Sequence, residues 1–228
     1  MSKKYKAIFF DWDGTAVMSR QAPVEEAVAA MKPLLASGVK LVIVSGTTYD
    51  KIASGKIHEH FTPEEASNLY LGLGRGAYNY KMVNGQPEIF ADCIPDTEGL
   101  LKIHDVCYKI HRELLEKYNF KTDLQVENER GDQLFMQEDE MSQLKAMLEE
   151  HGLENGIMDL VSLSEKVGEE FGLKVSATCD AKYLEVGISC KSDNVDTILE
   201  SFKDEGIEAE DCSFWGDEFV GIQEGLYG

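Results

Sequence analysis

The sequence is short of basic residues. Its 22 Lys and Arg stand against 42 Asp and Glu in 228 residues, a formal net charge of −20. Phosphate backbones and anionic bilayers reward basic patches, so this deficit argues against nucleic acid and membrane surfaces as partners. Cysteine is sparse too: five, an odd number with no Cys-x-x-Cys pair, which argues against a disulfide framework or a zinc knuckle. Reduced thiols suit a cytoplasmic location. Long apolar runs are missing as well. Lys3, Lys4 and Lys6 precede Ala7-Ile8-Phe9-Phe10, but that run stops at Asp11, too short for a signal peptide or a membrane span. There are no internal repeats and no low-complexity tract. At 43% hydrophobic residues, the chain can still bury a core of one domain plus an insert.

What is present is a strand that ends on acids. Ala7-Ile8-Phe9-Phe10 runs into Asp11-Trp12-Asp13-Gly14-Thr15. Taken alone, this tetrad of Asp-x-Asp-Gly also fits a surface turn. Two carboxylates at the end of a buried strand, however, are costly unless a cation or a phosphate with its metal sits between them. The same layout recurs twice: Leu41-Val42-Ile43-Val44 leads to Ser45-Gly46-Thr47, and Cys212-Ser213-Phe214-Trp215 to Gly216-Asp217-Glu218. Between the first two lies a helical stretch from near Pro23, with Val24, Ala27, Val28, Met31, Leu34 and Leu35 at helical spacing, Pro33 predicting a kink or break, and Gly38 at its end. Before the third, Ser192 is placed to cap a helix with apolar Val195, Ile198, Leu199 and Phe202, closed at Gly206. Strand, helix, strand with near-continuous apolar strands predicts an α/β chain: a Rossmann-like parallel sheet with helices on both faces. Such sheets bind ligands at their carboxyl ends, where Asp11, Ser45 and Asp217 all fall.

In these three segments, with Lys191 in Ile188-Ser189-Cys190-Lys191-Ser192 as a fourth, the chain resembles the haloacid dehalogenase superfamily, specifically its aspartate-nucleophile phosphatases. The resemblance implies a catalytic core over 1–80 and 186–228, and an inserted α+β cap domain of the C2 type over 81–185, as in sugar-phosphatase-like members. It further implies Asp11 as nucleophile, Asp13 as general acid and then base, and Thr15 as their orienting neighbour. Ser45, the Gly46 amide and Lys191 fit the donor and cation roles that phosphoryl transfer demands. Mg2+ would take Asp11, the Asp13 carbonyl and Asp217 as ligands. Where many relatives carry a second acid four positions after the first, this chain has Gly221, and Glu218 is the substitute. Lys174 and Lys182 are rivals of Lys191. The implied activity is a Mg2+-dependent phosphatase of a small phosphorylated metabolite, with a sugar phosphate first among substrates and an aspartyl-phosphate intermediate. A phosphomutase on the same scaffold and a non-catalytic binding module are the alternatives. So little follows Gly216-Asp217 that a shortened carboxyl end, or an abbreviated sheet edge, is expected.

The insert reads as a layer of its own. A helix over about 96–118 carries Leu100, His104, Cys107, His111 and Leu114 on one stripe, strands are predicted over 122–128 and 132–137, and a helix over 138–151 ends at Gly152. Ser162 with Glu165 fits a capping box for a helix ending at Gly172, and a hairpin is predicted over Asp180-Ala181. Gly72-Leu73-Gly74-Arg75-Gly76 lacks dinucleotide-loop spacing and reads as the passage from core to cap, with Arg75 a candidate substrate contact. His58 and His60 have metal-like spacing on a strand, but too few further ligands lie near, and a solvated pair is expected. His104 and His111 read as core or interface residues. Ser45 has no histidine and acid partners that would make it a serine-type nucleophile.

Overall fold

The computed structural model describes residues 5–19, 21–126, 131–136, 146, 148–153, 157–180 and 183–216. The chain divides into two compact units, one built from residues up to Cys93 and the segment that starts at Lys191, the other from Ile94–Cys190. No helix among the described residues is long and apolar enough to cross a membrane.

The first unit is a six-stranded sheet in the order β10-β1-β2-β3-β4-β5, comprising β1 (Ala7–Asp11), β2 (Lys40–Ser45), β3 (Leu69–Leu73), β4 (Tyr78–Val83), β5 (Gln86–Asp92) and β10 (Cys212–Trp215). Strands β10, β1, β2 and β3 run parallel, and β4 and β5 are antiparallel. The inner strands β1, β2 and β3 are largely apolar because both faces are covered, whereas β10 at the sheet edge leaves Phe214 and Trp215 exposed. On one face Leu41, Ile43, Leu69 and Leu71 pack with Val28, Met31 and Leu35 of α1 (Glu25–Ala36). On the other, Phe9, Val42 and Val44 pack with Ile198 and Phe202 of a late helix, Lys191–Phe202. The helix α1 runs unbroken through Pro33, contrary to the kink or break that proline predicts. Pro33 lies in the last turn, and the carbonyl that loses its donor belongs to the exposed Ala29, where water can serve it.

Two further expectations need correction. The stretch 49–60, including His58 and His60, is a pair of 3₁₀ segments, Tyr49–Gly55 and Ile57–His60, followed by the single turn α2 (Pro63–Ala66) with Thr62 and Glu65 forming a capping box. His58 Nδ1 pairs with the Tyr49 hydroxyl at 2.7 Å, so it is a packing residue. The first unit also does not end at residue 80. β4 and β5 form a hairpin through Asn84 and Gly85, both at positive φ, and extend the sheet to Asp92.

The second unit contains α3 (Thr97–Tyr118), β6 (Thr122–Gln125), β7 (Gly131–Met136), α4 (Ile157–Glu170), β8 (Ser176–Asp180) and β9 (Tyr183–Gly187). Its antiparallel sheet has the order β6-β7-β9-β8. Ile103, Val106, Cys107, Ile110 and Leu114 of α3 and Leu160 and Val167 of α4 form one core with Leu134, Cys179, Leu184 and Val186. Asp96 caps α3 by accepting from the Gly99 amide at 2.7 Å. His104 Nε2 stands 3.4 Å from Asp132 Oδ1, and His111 Nδ1 2.6 Å from Thr122 Oγ1, so both histidines flank the buried stripe. Because α4 begins at Ile157, Ser162 lies inside it and does not cap it. Strand β9 pairs only within this sheet, so the unit runs to Cys190 where the sequence reading returned to the core at 186. Most of the helix expected over 138–151 lies outside the described residues.

Candidate active site

The chain leaves β1 towards β2 and β3 on one side and returns as β10 on the other, which makes the carboxyl end of β1 the point where strand order reverses. Asp11 stands there. Its Oδ1 accepts the Trp12 amide at 2.7 Å. Trp12 is 1% exposed and locked in the core, so the residues on either side of it, Asp11 and Asp13, are turned the other way. Beyond them the chain closes tightly: Gly14, at φ 83°, donates to the Val17 carbonyl, while Ala16 and Val17 donate to that of Trp12. Thr15 is an exposed residue of this turn.

One register step across, Asp11 lies beside Val44, and Ser45 ends β2. Ser45 and Thr47 are both buried, the Ser45 hydroxyl accepting from the Thr47 amide at 3.3 Å. The helix Lys191–Phe202, here α5, opens on the residue that matters. Lys191 Nζ donates to Asp11 Oδ2 at 3.1 Å, joining residues 180 apart in sequence. Its rival Lys174 belongs to the second unit, and Lys182 lies outside the described residues. Because α5 begins at Lys191, Ser192 is its second residue and not its cap.

Arg75 sits in the turn between β3 and β4 at φ 59°, 9% exposed. A Cβ on Gly46 would lie 3.4 Å from Arg75 Cγ and 3.9 Å from Lys191 Cε, so the stems of two cationic side chains meet over that glycine. The turn is tied to β2 by the Gly74 amide on the Thr47 carbonyl at 2.9 Å. Underneath, Asn194 of α5, fully buried, accepts from the Gly76 amide and donates to the Tyr78 carbonyl and Asn79 Oδ1. Sequence reading missed Asn194. A polar residue on the helix stripe between Lys191 and Ile198 was the available signal.

Thus Asp11, Asp13, Ser45, Gly46, Arg75 and Lys191 belong to one unit, with Asp11 bonded to Lys191 and Gly46 beneath the Lys191 and Arg75 stems. Asp217 and Glu218 lie outside the described residues. As a test of the implied magnesium, the donors at hand are carboxylate oxygens, hard ligands of the kind Mg2+ prefers. Among the described residues no three acidic, histidine or cysteine groups gather as a metal site. Asp11 and Asp13 are oxygen donors of the kind such an ion takes.

This sheet order, with helices on both faces, is a Rossmann-like fold, and the solved structures that share it include one from the haloacid dehalogenase superfamily. Among solved structures, the chain is similar to an N-terminally truncated, IMP-bound IMP-nucleotidase of Plasmodium falciparum, with a TM-score of 0.67 and 15% identity over 96% of this chain and 60% of that one. It is also similar to a sugar phosphatase of haloacid dehalogenase subclass IIB, at TM-score 0.53 and 16% identity over 93% of this chain and 80% of that one. A Eubacterium rectale structure matches at TM-score 0.53 and 14% identity, over 94% and 82% of the two chains. The likeness at these identities is one of fold, and the chain spans about six-tenths of the nucleotidase's length. No family model matches the sequence, and no curated protein does.

Proposed function

We propose that the protein is a phosphoric monoester hydrolase that acts on a small phosphorylated metabolite through an aspartyl-phosphate on Asp11. The observation that carries this reading is the carboxylate of Asp11 at the switch point, 3.1 Å from the ammonium of Lys191 and two residues from a second aspartate. In the first half-reaction an Asp11 oxygen attacks phosphorus, the bond to the leaving oxygen breaks, and Asp13 gives that oxygen its proton. In the second, water attacks the phosphoaspartate, Asp13 takes the water's proton, and inorganic phosphate leaves with Asp11 restored. Lys191, the Ser45 hydroxyl and the Gly46 amide balance the charge on the equatorial oxygens. Bound Mg2+ would supply further charge neutralisation, held by Asp11, the Asp13 carbonyl and Asp217, with Glu218 in support.

In this reading the unit Ile94–Cys190 is the cap domain. A sugar phosphate suits the likeness to a sugar phosphatase. A nucleoside monophosphate is the second reading, favoured by the higher TM-score to the IMP-nucleotidase. Five free cysteines and an acidic surface accord with a cytoplasmic enzyme whose partner is the metabolite itself.

The test is a screen of phosphorylated sugars, polyols and nucleoside monophosphates for inorganic phosphate, with and without Mg2+. Asp11→Asn serves as control and is expected to remove turnover by several orders of magnitude while leaving the melting temperature near that of the wild type. A variant within about tenfold of wild-type turnover rejects the nucleophile. Phosphate returned to the substrate, with none released, points to the phosphomutase.

A further inference from the structure

Asn194 makes three side-chain hydrogen bonds that join two elements. From the fourth position of α5, its amide nitrogen donates to the Tyr78 carbonyl at 3.1 Å and to Asn79 Oδ1 at 2.9 Å. Its oxygen accepts from the Gly76 amide at 2.7 Å. The residue is 0% exposed and Asn79 2%, so water cannot replace any of these bonds. The two elements it joins each carry a cation: Lys191 is the first residue of α5, and Arg75 directly precedes Gly76. Their stems approach the same point above Gly46, from opposite ends of the sequence. Long cationic side chains wander unless their backbones are held, and the backbone on each side is held here by one buried amide.

We propose that Asn194 is the positioning residue of the phosphate site, fixing Lys191 and Arg75 as a cation pair over Gly46 and so setting affinity for a phosphate dianion. This rests on the phosphomonoesterase reading and deepens it. Asn194 touches neither phosphate nor Asp11. It acts by keeping the amino end of α5 and the Gly74-Arg75-Gly76 turn in register, so its loss loosens both cations together. Loss of Lys191 or of Arg75 removes one.

The experiment compares wild type, Asn194→Ala and Ile198→Ala. Ile198 lies one turn further along α5, is 0% exposed and is packed near Gly72, but its side chain forms no hydrogen bond and belongs to no site. Calorimetry gives the dissociation constant for inorganic phosphate, and steady-state kinetics give kcat and KM on the best substrate of the screen, at a temperature where circular dichroism shows every variant folded. Asn194→Ala is expected to weaken phosphate binding and to lower kcat, each by about tenfold or more. Ile198→Ala is expected to lose as much thermal stability and to keep both quantities within about threefold of wild type. Smaller losses in Asn194→Ala, or equal losses in Ile198→Ala, overturn the proposal and leave Asn194 as a packing residue. If Asn194→Ala does not fold, Asn79→Ala, which removes one acceptor of the Asn194 amide, takes its place with an expected loss of about threefold or more, and a smaller loss overturns the proposal equally. A wild type that binds phosphate but hydrolyses nothing defeats the function while the binding arm still decides on Asn194. A wild type that binds no phosphate overturns both.

Discussion

Gly72→Ala puts one methyl group where the sheet and α5 nearly touch. Gly72 lies on β3, and a Cβ there would stand 2.5 Å from Asn194 Cβ, 3.0 Å from Asn194 Cγ and 3.3 Å from Ile198 Cδ1. Carbon atoms rest at about 3.5–4.0 Å from one another, so the start of α5 has to retreat by about 1 Å. The Cβ of Asn194 cannot swing aside, because it is fixed by the helix backbone. Overpacking of this kind costs about 1–3 kcal/mol, and each kcal/mol lowers the melting temperature by about 2–4 °C in a chain of this size. The same retreat carries Lys191 away from Asp11, stretching a 3.1 Å bond to about 4 Å, past hydrogen-bond range. A misplacement of about 1 Å near the reacting atoms costs about a hundredfold in rate. The expected variant is therefore folded, several degrees less stable, and about a hundredfold slower in kcat at saturating Mg2+. A thermal melt and a continuous phosphate-release assay read the two effects. Folded Gly72→Ala turning over within about threefold of wild type refutes the reasoning, since the helix would then have yielded without moving its cation.

Asp13→Asn is expected to slow alkyl phosphates far more than aryl phosphates, whose leaving groups need no proton; equal losses on the two would remove its role as general acid. Glu218→Gln is expected to raise the Mg2+ concentration for half-maximal activity, Asp217→Asn to raise it further, and Lys191→Ala to lower turnover with little shift in the metal requirement. A wild-type Mg2+ titration for Asp217→Asn would sink the metal assignment. Burial pushes the Cys107 thiol well above its ordinary value, with the Asp132 carboxylate adding to the effect. At pH 8, an alkylating reagent is therefore expected to modify the exposed Cys93 and to reach Cys107 only after denaturation. Labelling of Cys107 in the native protein, read by peptide mass, would contradict its burial.

Buried parallel strands are apolar runs with abrupt polar ends, and for that reason Asp11 and Ser45 could be placed from sequence. Lys191 was legible by its position before a helical stripe, although the helix takes it in as first residue and leaves Ser192 inside. The extension of the sheet by β4 and β5 was not read, because these strands are only partly buried and their side chains mix polar with apolar. The Asn84-Gly85 pair between them was the signal for a hairpin. On α3 the expected stripe was rotated by part of a turn: Cys107 and Leu114 are buried with Ile103, Val106 and Ile110, while His104 and His111 find polar partners at the margin. Arg75 was legible as a candidate, but the bonds of Asn194 to the turn after it join residues more than a hundred apart, so its partners could not be read from the sequence.

Strand β1 also sets a timetable. Its partner β2 follows within about thirty residues, but its other edge is filled by β10, with Ala7 paired to Cys212. On a ribosome adding about 5–20 residues per second, those 205 residues take about 10–40 s to appear. Throughout that interval Ala7-Ile8-Phe9-Phe10 presents an apolar strand with one open edge, the form of surface that recruits other strands. The insert, able to gather its own core of α3, α4 and an antiparallel sheet, shortens the distance the late segment must search before it docks. Soluble yield during rapid synthesis should then be governed by how long β1 waits, and slower or cooler expression, or a chaperone that shields the strand, should recover protein that the finished fold has no difficulty keeping.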